Sequence, residues 1–362
     1  MDFSTTAEQL TLVDTARAWL SRDNIADAEA VWSQLHRLGW LDPGLGVVDL
    51  ALLAQASVTD LLSAPTDDPS RLAGWWPTMA LAAPAYRAAG SWPHRRATLA
   101  WAESPGPGGL ASSARRPTCR ADGAGPTIRL YGTKCHVVGA FADAVVTAVG
   151  RDGPALYQVD LAGNPEIVRE VSTLDLSRPV ARLRFDGIAA TQLVDARRAP
   201  GVLLETRRRA LTLLAAEAVG VARAALDLAS THARVRTQFG RPIGGFQGVS
   251  HRLADAAATV ELAYSLMLRC AWCVESAAAD ADEAVAMATI AAREAALGTC
   301  AVAVQTLGGT GFTWAHPAHR LYRRARWIAG FDGPVTAYRA ELATILLDRS
   351  GEPSVPEADL LV

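Results

Sequence analysis

Over residues 1 to about 95, apolar side chains recur at helical spacing, as in TAEQLTLVDTARAWLSR and EAVWSQLHRLGWL, which predicts amphipathic helices. Thr5 and Thr6, with Glu8 close behind, supply a helix start. From about 96 to 200 the pattern changes. TIRLYGTKCHVV, ADAVVTAVG, ALYQVDL and RLRFDGIAATQLVD are short β-branched runs separated by Gly, Pro and Asp, and they read as antiparallel strands with turns. From about 203 the helical pattern returns. Between Val202 and Gln305 the only proline is Pro242, and the glycines concentrate at 240–248. That spacing predicts long helices near 204–236, 247–279 and 282–306, then a pair near 317–328 and 334–349. There is no internal repeat and no low-complexity linker. The reading is α+β and mostly α: an N-terminal helical domain (1–95), a small middle β domain (96–202) and a C-terminal helical bundle (203–362).

Composition narrows the function classes. The 362 residues leave ample core for such a chain. The net charge of -2, from 35 basic and 37 acidic side chains, gives no electrostatic footprint for nucleic acid or an anionic membrane. No uninterrupted apolar run approaches the ~18 residues of a membrane span. MDFSTTAEQL lacks a basic stretch followed by an apolar core, so no signal peptide is expected. Five cysteines, an odd number in a long chain, point to reduced thiols and a cytoplasmic location.

Two stretches carry candidate chemistry. RTQFGRPIGGFQGVSH joins two predicted helices, with glycines that permit unusual backbone angles and Pro242 to stop the first helix. It is either a plain helix–helix turn or a loop whose Arg, Gln and Phe side chains hold something. The second, QTLGGTGFTWAHPAHRLYRRARWIAGFDGP, ends a helix at Gly308–Gly309. Its Gly-x-Gly is a weak nucleotide fingerprint, because no strand precedes it.

Together these stretches resemble the acyl-CoA dehydrogenase family of flavoproteins. Arg236, Phe239, Gly240, Ile243 and Gln247 match the first family motif, and Gln305, Gly308, Gly309 and Gly311 match the second. The resemblance implies a middle domain like a β-barrel, a C-terminal four-helix bundle, noncovalent FAD lying between subunits, and a dimer or tetramer. It implies that Arg236 and Gln238 approach the FAD diphosphate or adenine from the neighbouring subunit, with Phe239 beside them. Phe246 and Gln247 would open the next helix there, where exposed amides favour an anion. Gln305, Leu307, Gly308 and Gly309 would form the second contact.

The family reaction takes an α-proton from an acyl thioester and moves a β-hydride to the flavin. It needs a carboxylate within reach of a weakly acidic carbon, in a site that excludes water. The family's Glu before Gly corresponds here to Asp332 in GFDGP, which is the implied base; capping the final helix is its plainer role. Ala210 stands where some relatives carry the base. Glu217, in LLAAEAVG, is either a paired structural carboxylate or a substitute acid–base. At positions similar to the family's flavin-ring motifs the chain has Ala102, Glu103 and Ser104, then Gly132, Lys134, His136, Val137 and Val138, so the ring environment differs.

Remaining features divide between solvated and functional readings. Arg207, Arg208 and Arg209 at a predicted helix start, and Arg323, Arg324 and Arg326, are a solvated face or a contact for a CoA or carrier-protein phosphate. Cys270 and Cys273 read as core, and His316 and His319 lack the partners a metal needs. The expected activity is FAD-dependent α,β-dehydrogenation of an acyl thioester carried on CoA or a carrier protein, with an electron-transfer flavoprotein as acceptor. The alternatives are a catalytically silent subunit completing the FAD site of a heteromer, and a biosynthetic flavoprotein with oxidase or non-redox chemistry.

Overall fold

The computed structural model describes residues 5–21, 28–63, 72–103, 110, 117–139 and 142–350. The first layer is helical: α1 (Ala7–Leu20), α2 (Ala28–Arg37), α3 (Val47–Ala56) and α4 (Val58–Ser63), then a π-helical segment, Pro77–Ala82, that runs into α5 (Ala83–Ala88). Helix α1 starts with a reciprocal cap. Gln9 N donates to Thr6 Oγ1 at 3.2 Å and Thr6 N donates to Gln9 Oε1 at 3.0 Å, so the partner of Thr6 is Gln9 and not Glu8.

Eight strands follow: β1 (Ala97–Ala100), β2 (Arg120–Asp122), β3 (Arg129–Val138), β4 (Asp143–Gly150), β5 (Gly153–Asp160), β6 (Val168–Val171), β7 (Val180–Ala189) and β8 (Thr191–Val194). They form one sheet in the order β6-β7-β3-β2-β4-β5-β8, with β1 paired to β4. The sheet is not wholly antiparallel. Both β1 and β2 run parallel to β4, β1 in register from Ala97 opposite Asp143. Such pairs need long connections, which the chain between these strands provides.

The C-terminal region holds α6 (Ala199–Val235), a hairpin of β9 (Thr237–Gln238) and β10 (Arg241–Pro242), α7 (Gln247–Glu275), α8 (Ala281–Leu307), α9 (Ala318–Gly330) and α10 (Val335–Ser350). Helix α6 begins earlier than its apolar pattern predicts. Pro200 sits in its first turn, where a missing N–H leaves no bond unmade. Every residue from Arg209 to Ala222 is buried, so this stretch is a core helix surrounded on all sides. Helices α7 and α8 are long and apolar enough by average hydropathy to cross a bilayer, although neither is an uninterrupted apolar run, and both pack against α6 and each other.

Gly220 marks the closest crossing. A Cβ there would lie 2.5 Å from the Gln55 carbonyl oxygen of α3 and 2.9 Å from Val58 Cγ2. Backbone cannot yield as a side chain does, so Gly220→Ala should destabilise the fold by about 1–3 kcal/mol in urea unfolding.

Candidate functional site

The break after α6 is a two-residue β-hairpin. Gln238 pairs with Arg241 and Thr237 with Pro242, and the turn residues Phe239 and Gly240 have φ of +50° and +76°. Two positive φ values make a primed turn, for which glycine suits the second position. Phe239 adopts the left-handed region without glycine's freedom, and it is 93% exposed. Its ring meets Phe246 edge-on at 6.2 Å, and Arg241 lies over Phe246 at 4.1 Å. Pro242 lies in the returning strand, after α6 has already ended at Val235.

Arg236 and Gln238 are exposed, and the Gln238 side chain bonds only to the neighbouring Thr237 carbonyl, at 2.9 Å. Gln247 opens α7 with Phe246 as its N-cap. Helix α8 ends at Leu307, with Gly308 as its cap at φ +63°, and Cβ atoms at Gly308 or Gly309 would meet nothing within 4 Å. Gln305 is exposed one turn earlier. The ends of α6 and α8 lie together, since Val235 and Leu307 line one cavity. The exposed Arg236, Gln238 and Gln305 side chains and the open glycine backbone suit a diphosphate.

The Asp332 side chain is almost wholly buried and both of its oxygens are engaged. Arg207 Nε donates to Oδ2 at 2.9 Å, Tyr338 Oη donates to Oδ2 at 2.8 Å, and Leu110 N donates to Oδ1. Arg207 also grips Glu341 at 2.9 and 2.8 Å. Burial works against the Arg207 charge, but these two carboxylates raise its pKa above the ordinary arginine value. Arg293 fixes the turn by donating to the carbonyls of Phe331 at 2.6 Å and Gly333 at 2.8 Å. Phe331 itself is boxed by Trp76, Trp101 and Trp327, with centroids 5.4, 5.5 and 5.6 Å away. The plainer expectation, that Asp332 caps the final helix, has no such bond: its carboxylate bonds to Leu110, Arg207 and Tyr338.

Glu217 is held by two arginines. Arg178 Nη2 reaches its oxygens at 2.9 and 2.8 Å, and Arg324 Nη1 donates to Oε1. Arg324 also bonds Asp175. Burial alone would raise the Glu217 pKa, but the two guanidinium charges outweigh it and lower it. A carboxylate kept ionised between two cations is a poor proton acceptor, so its surroundings favour the paired reading over the acid–base one. Arg178 lies against both Trp76 and Trp327, 5.0 and 4.3 Å from their ring centres, and the two rings meet each other edge-on at 6.0 Å. Burial pushes its pKa down to about 10.

The positions similar to the family's flavin-ring motifs lie on β3 and just after β1. Cys135 N donates to the Ala102 carbonyl at 2.7 Å, beside a bulge in β3 where His136 has φ +52°. Val138 is buried, and its carbonyl accepts from Thr98 Oγ1 at 2.5 Å. Ser104 lies outside the described residues. Glu103 accepts from Lys134 Nζ at 2.5 Å, Thr118 N at 2.5 Å and Cys119 N at 3.0 Å. Burial would raise the Glu103 pKa, but these donors hold it at about 2. Gly132 permits the packing behind them: a Cβ there would meet Cys119 Sγ at 2.7 Å.

Four of the six arginines in the two triplets, Arg207, Arg208, Arg209 and Arg324, are engaged within the chain, and Arg326 is exposed. Arg208 forks Asp282 at 2.7 and 2.6 Å, Arg209 Nε donates to the Met79 carbonyl at 2.8 Å, and Arg324 is buried in the Glu217 cluster. Arg323 covers Trp314, and Arg326 covers Tyr322. Cys270 and Cys273 are buried, and no metal-holding cluster occurs among the described residues. The partners Arg178, Asp175 and Tyr338 carried no signal in the local sequence.

Residues 203–346 match the family model for the acyl-CoA dehydrogenase C-terminal domain. The chain belongs to the acyl-CoA dehydrogenase family. It is 39% identical over 207 residues to acyl-CoA dehydrogenase FadE34 of Mycobacterium tuberculosis, covering 56% of this chain and 27% of that protein. It is 33% identical over 263 residues to the mitochondrial short-chain specific acyl-CoA dehydrogenase of Bos taurus, covering 67% of this chain and 61% of that one. The chain thus spans less than two thirds of the length of either relative. A solved structure, the ChsE4-ChsE5 complex from Mycobacterium tuberculosis, superposes with a TM-score of 0.77 at 25% identity, over 98% of this chain and 100% of the other. The acyl-CoA dehydrogenase fold is α+β and mostly α, and the family is FAD-dependent.

Two outcomes test this electrostatic framework. Arg324→Met should cost about 3–5 kcal/mol in denaturant unfolding, because it strips a buried partner from both Asp175 and Glu217. Glu103, lowered to about 2 from 4.5, adds stability above pH 4.5 that is lost as pH falls towards 2. Glu103→Gln should flatten the decline in melting temperature across that window.

Proposed function

We propose that the chain serves FAD-dependent dehydrogenation of acyl thioesters as the subunit that completes the FAD site of a heteromer, with a second chain bringing the proton-abstracting carboxylate. The observation that carries this reading is the state of Asp332. Both of its oxygens accept hydrogen bonds from other parts of the chain, and its side chain is 1% exposed. Glu217 is no substitute, because its oxygens face two guanidinium groups.

What the chain offers is the nucleotide clamp. Arg236 provides a planar fork for a diphosphate, with Gln238 and Gln305 as further donors. Phe246 and Gln247 stand at the start of α7, where unpaired amides and the helix dipole favour negative charge. Gly308 and Gly309 let backbone approach closely, beside Leu307. FAD, when bound, supplies the hydride acceptor. Around this clamp Val235, Phe239, Phe312 and Trp314 are 71%, 93%, 77% and 53% exposed. So much exposed apolar surface at one end of a bundle fits cover by another chain, as does the likeness to a solved complex of two different chains. An acyl thioester on CoA or a carrier protein, a dimer or tetramer, transfer to an electron-transfer flavoprotein and a cytoplasmic location complete the proposal.

A second reading keeps Asp332 as the base of a self-sufficient enzyme. Its φ of +58° is a strained conformation of the kind found at working sites, and Arg207 has Glu341 as a second acceptor.

The purified chain, alone and co-expressed with an acyl-CoA dehydrogenase relative, separates these readings by flavin absorbance and anaerobic thioester addition. Flavin retained only in the co-expressed pair supports the subunit reading. Bleaching by the chain alone that disappears in Asp332→Asn supports the second reading and overturns the first. Stable flavin that no thioester bleaches, alone or in the pair, points to other flavin chemistry. Arg236→Ala should weaken FAD binding about tenfold to a hundredfold, the loss of one charged hydrogen-bonding group.

A further inference from the structure

A cavity of about 390 Å³ lies where the start of α3 and the end of α7 face the N-terminal third of α6. Its volume falls in the range of small-molecule sites, about 300–1,000 Å³. Arg209 lines it. This residue is only 3% exposed, and its Nε donates to the Met79 carbonyl at 2.8 Å, which fixes the guanidinium. Its Nη2 is buried and makes no hydrogen bond, and among the described residues no carboxylate forms an ion pair with it. Burial, with the nearby Arg87 charge, pushes its pKa down to about 10 against the pull of Glu205. A buried cation with an idle donor costs free energy that an anionic acceptor would recover.

The other charges around the cavity are already matched. Arg208 forks Asp282 at 2.7 and 2.6 Å. Arg87 lies 4.0 Å from Glu205 and donates to the Pro43 carbonyl at 3.3 Å. Glu275 accepts from Val48 N at 2.9 Å, at the start of α3, where the N-cap Gly46 has no side chain to do so. One unmatched positive charge remains, so one negative charge completes the set. Glu205 and Glu275 both line the cavity and would repel a dianion such as phosphate. Leu45, Val47, Leu204 and Val274 supply apolar wall for a short tail.

The place is separate from the residues around Asp332 and from the clamp. Arg207, two residues earlier on α6, bonds Asp332; two helical residues turn by about 200°, so Arg209 faces away from that carboxylate. The clamp at Arg236 lies about 40 Å farther along the same helix. We propose that this cavity binds a small monocarboxylate with a short apolar tail, its carboxylate on Arg209 and its tail against Leu204 and Val274.

Isothermal titration of the full chain with hexanoate tests the site. Saturable one-to-one binding is expected, with a Kd of about 1 mM or tighter. Hexanamide, which keeps the tail and the carbonyl without the charge, should bind at least about tenfold more weakly, as should hexanoate in Arg209→Gln. Gly201 lines the cavity, and a Cβ there would meet nothing within 4 Å. Gly201→Leu therefore puts bulk into the cavity at a helical position where losing glycine favours the fold. It should abolish hexanoate binding with the melting temperature kept or raised. Arg236→Ala should leave hexanoate affinity unchanged. Absence of saturable hexanoate binding overturns the proposal. So does equal affinity for hexanamide, tighter binding of inorganic phosphate, parental affinity in Gly201→Leu, or loss of binding in Arg236→Ala, which would move the ligand to the clamp.

Discussion

Arg324 of α9 donates at once to Asp175, in the loop between β6 and β7, and to Glu217, in the fully buried middle of α6. One guanidinium therefore joins sheet, central helix and outer helix. Arg178, from the same loop as Asp175, completes a four-membered cluster of two cations and two anions. The packing near Phe331 is tied to it, because Arg178 also lies against Trp76 and Trp327, which meet edge-on at 6.0 Å and both pack on Phe331. Such a cluster contributes less to net stability than to arrangement, since desolvating four charges offsets much of their attraction. Its effect is to hold the sheet loop and α9 in one orientation against α6.

A second network builds on the first. Arg293 of α8 ties down the carbonyls on both sides of Asp332, while Arg207 of α6 and Tyr338 of α10 take its carboxylate. Burial and the nearby Asp332 charge raise the Tyr338 pKa, so its hydroxyl stays a donor. The turn after α9 is thus fixed by three helices, and Arg236, Gln238 and Gln305 at the other ends of α6 and α8 are left exposed. One end of the bundle is closed by charge pairs, and the other presents aromatic rings and glycine backbone.

Local order was the more legible part of this chain. The Gly308 helix stop, the long helices and the strand runs depend on residues within a few positions of one another, so spacing reveals them. The hairpin at Phe239–Gly240 was less legible, because its two-residue strands are too short to alternate and a Phe stands where glycine or asparagine is usual. The parallel pairing of β1 with β4 depends on contacts far apart in sequence. For the candidate site the sequence offers two motifs and a carboxylate position, but not their environment. Glu217 meets Arg178 and Arg324 across 39 and 107 residues, and Asp332 meets Arg207 across 125. No local pattern announces such partners, and they decide whether a carboxylate is paired or available.

The binding of Asp332 to three separate parts of the chain has a historical side. Leu110, Arg207 and Tyr338 each lose a partner if the carboxylate turns away, although Arg207 keeps Glu341. A lone change at position 332 therefore leaves the lock assembled around a new residue. Unfastening it without loss takes coordinated changes on α6 and α10, because Tyr338 and the Leu110 amide would otherwise lose an acceptor. A lineage that acquires this arrangement moves easily in one direction and with difficulty in the other, so the lock acts as a ratchet.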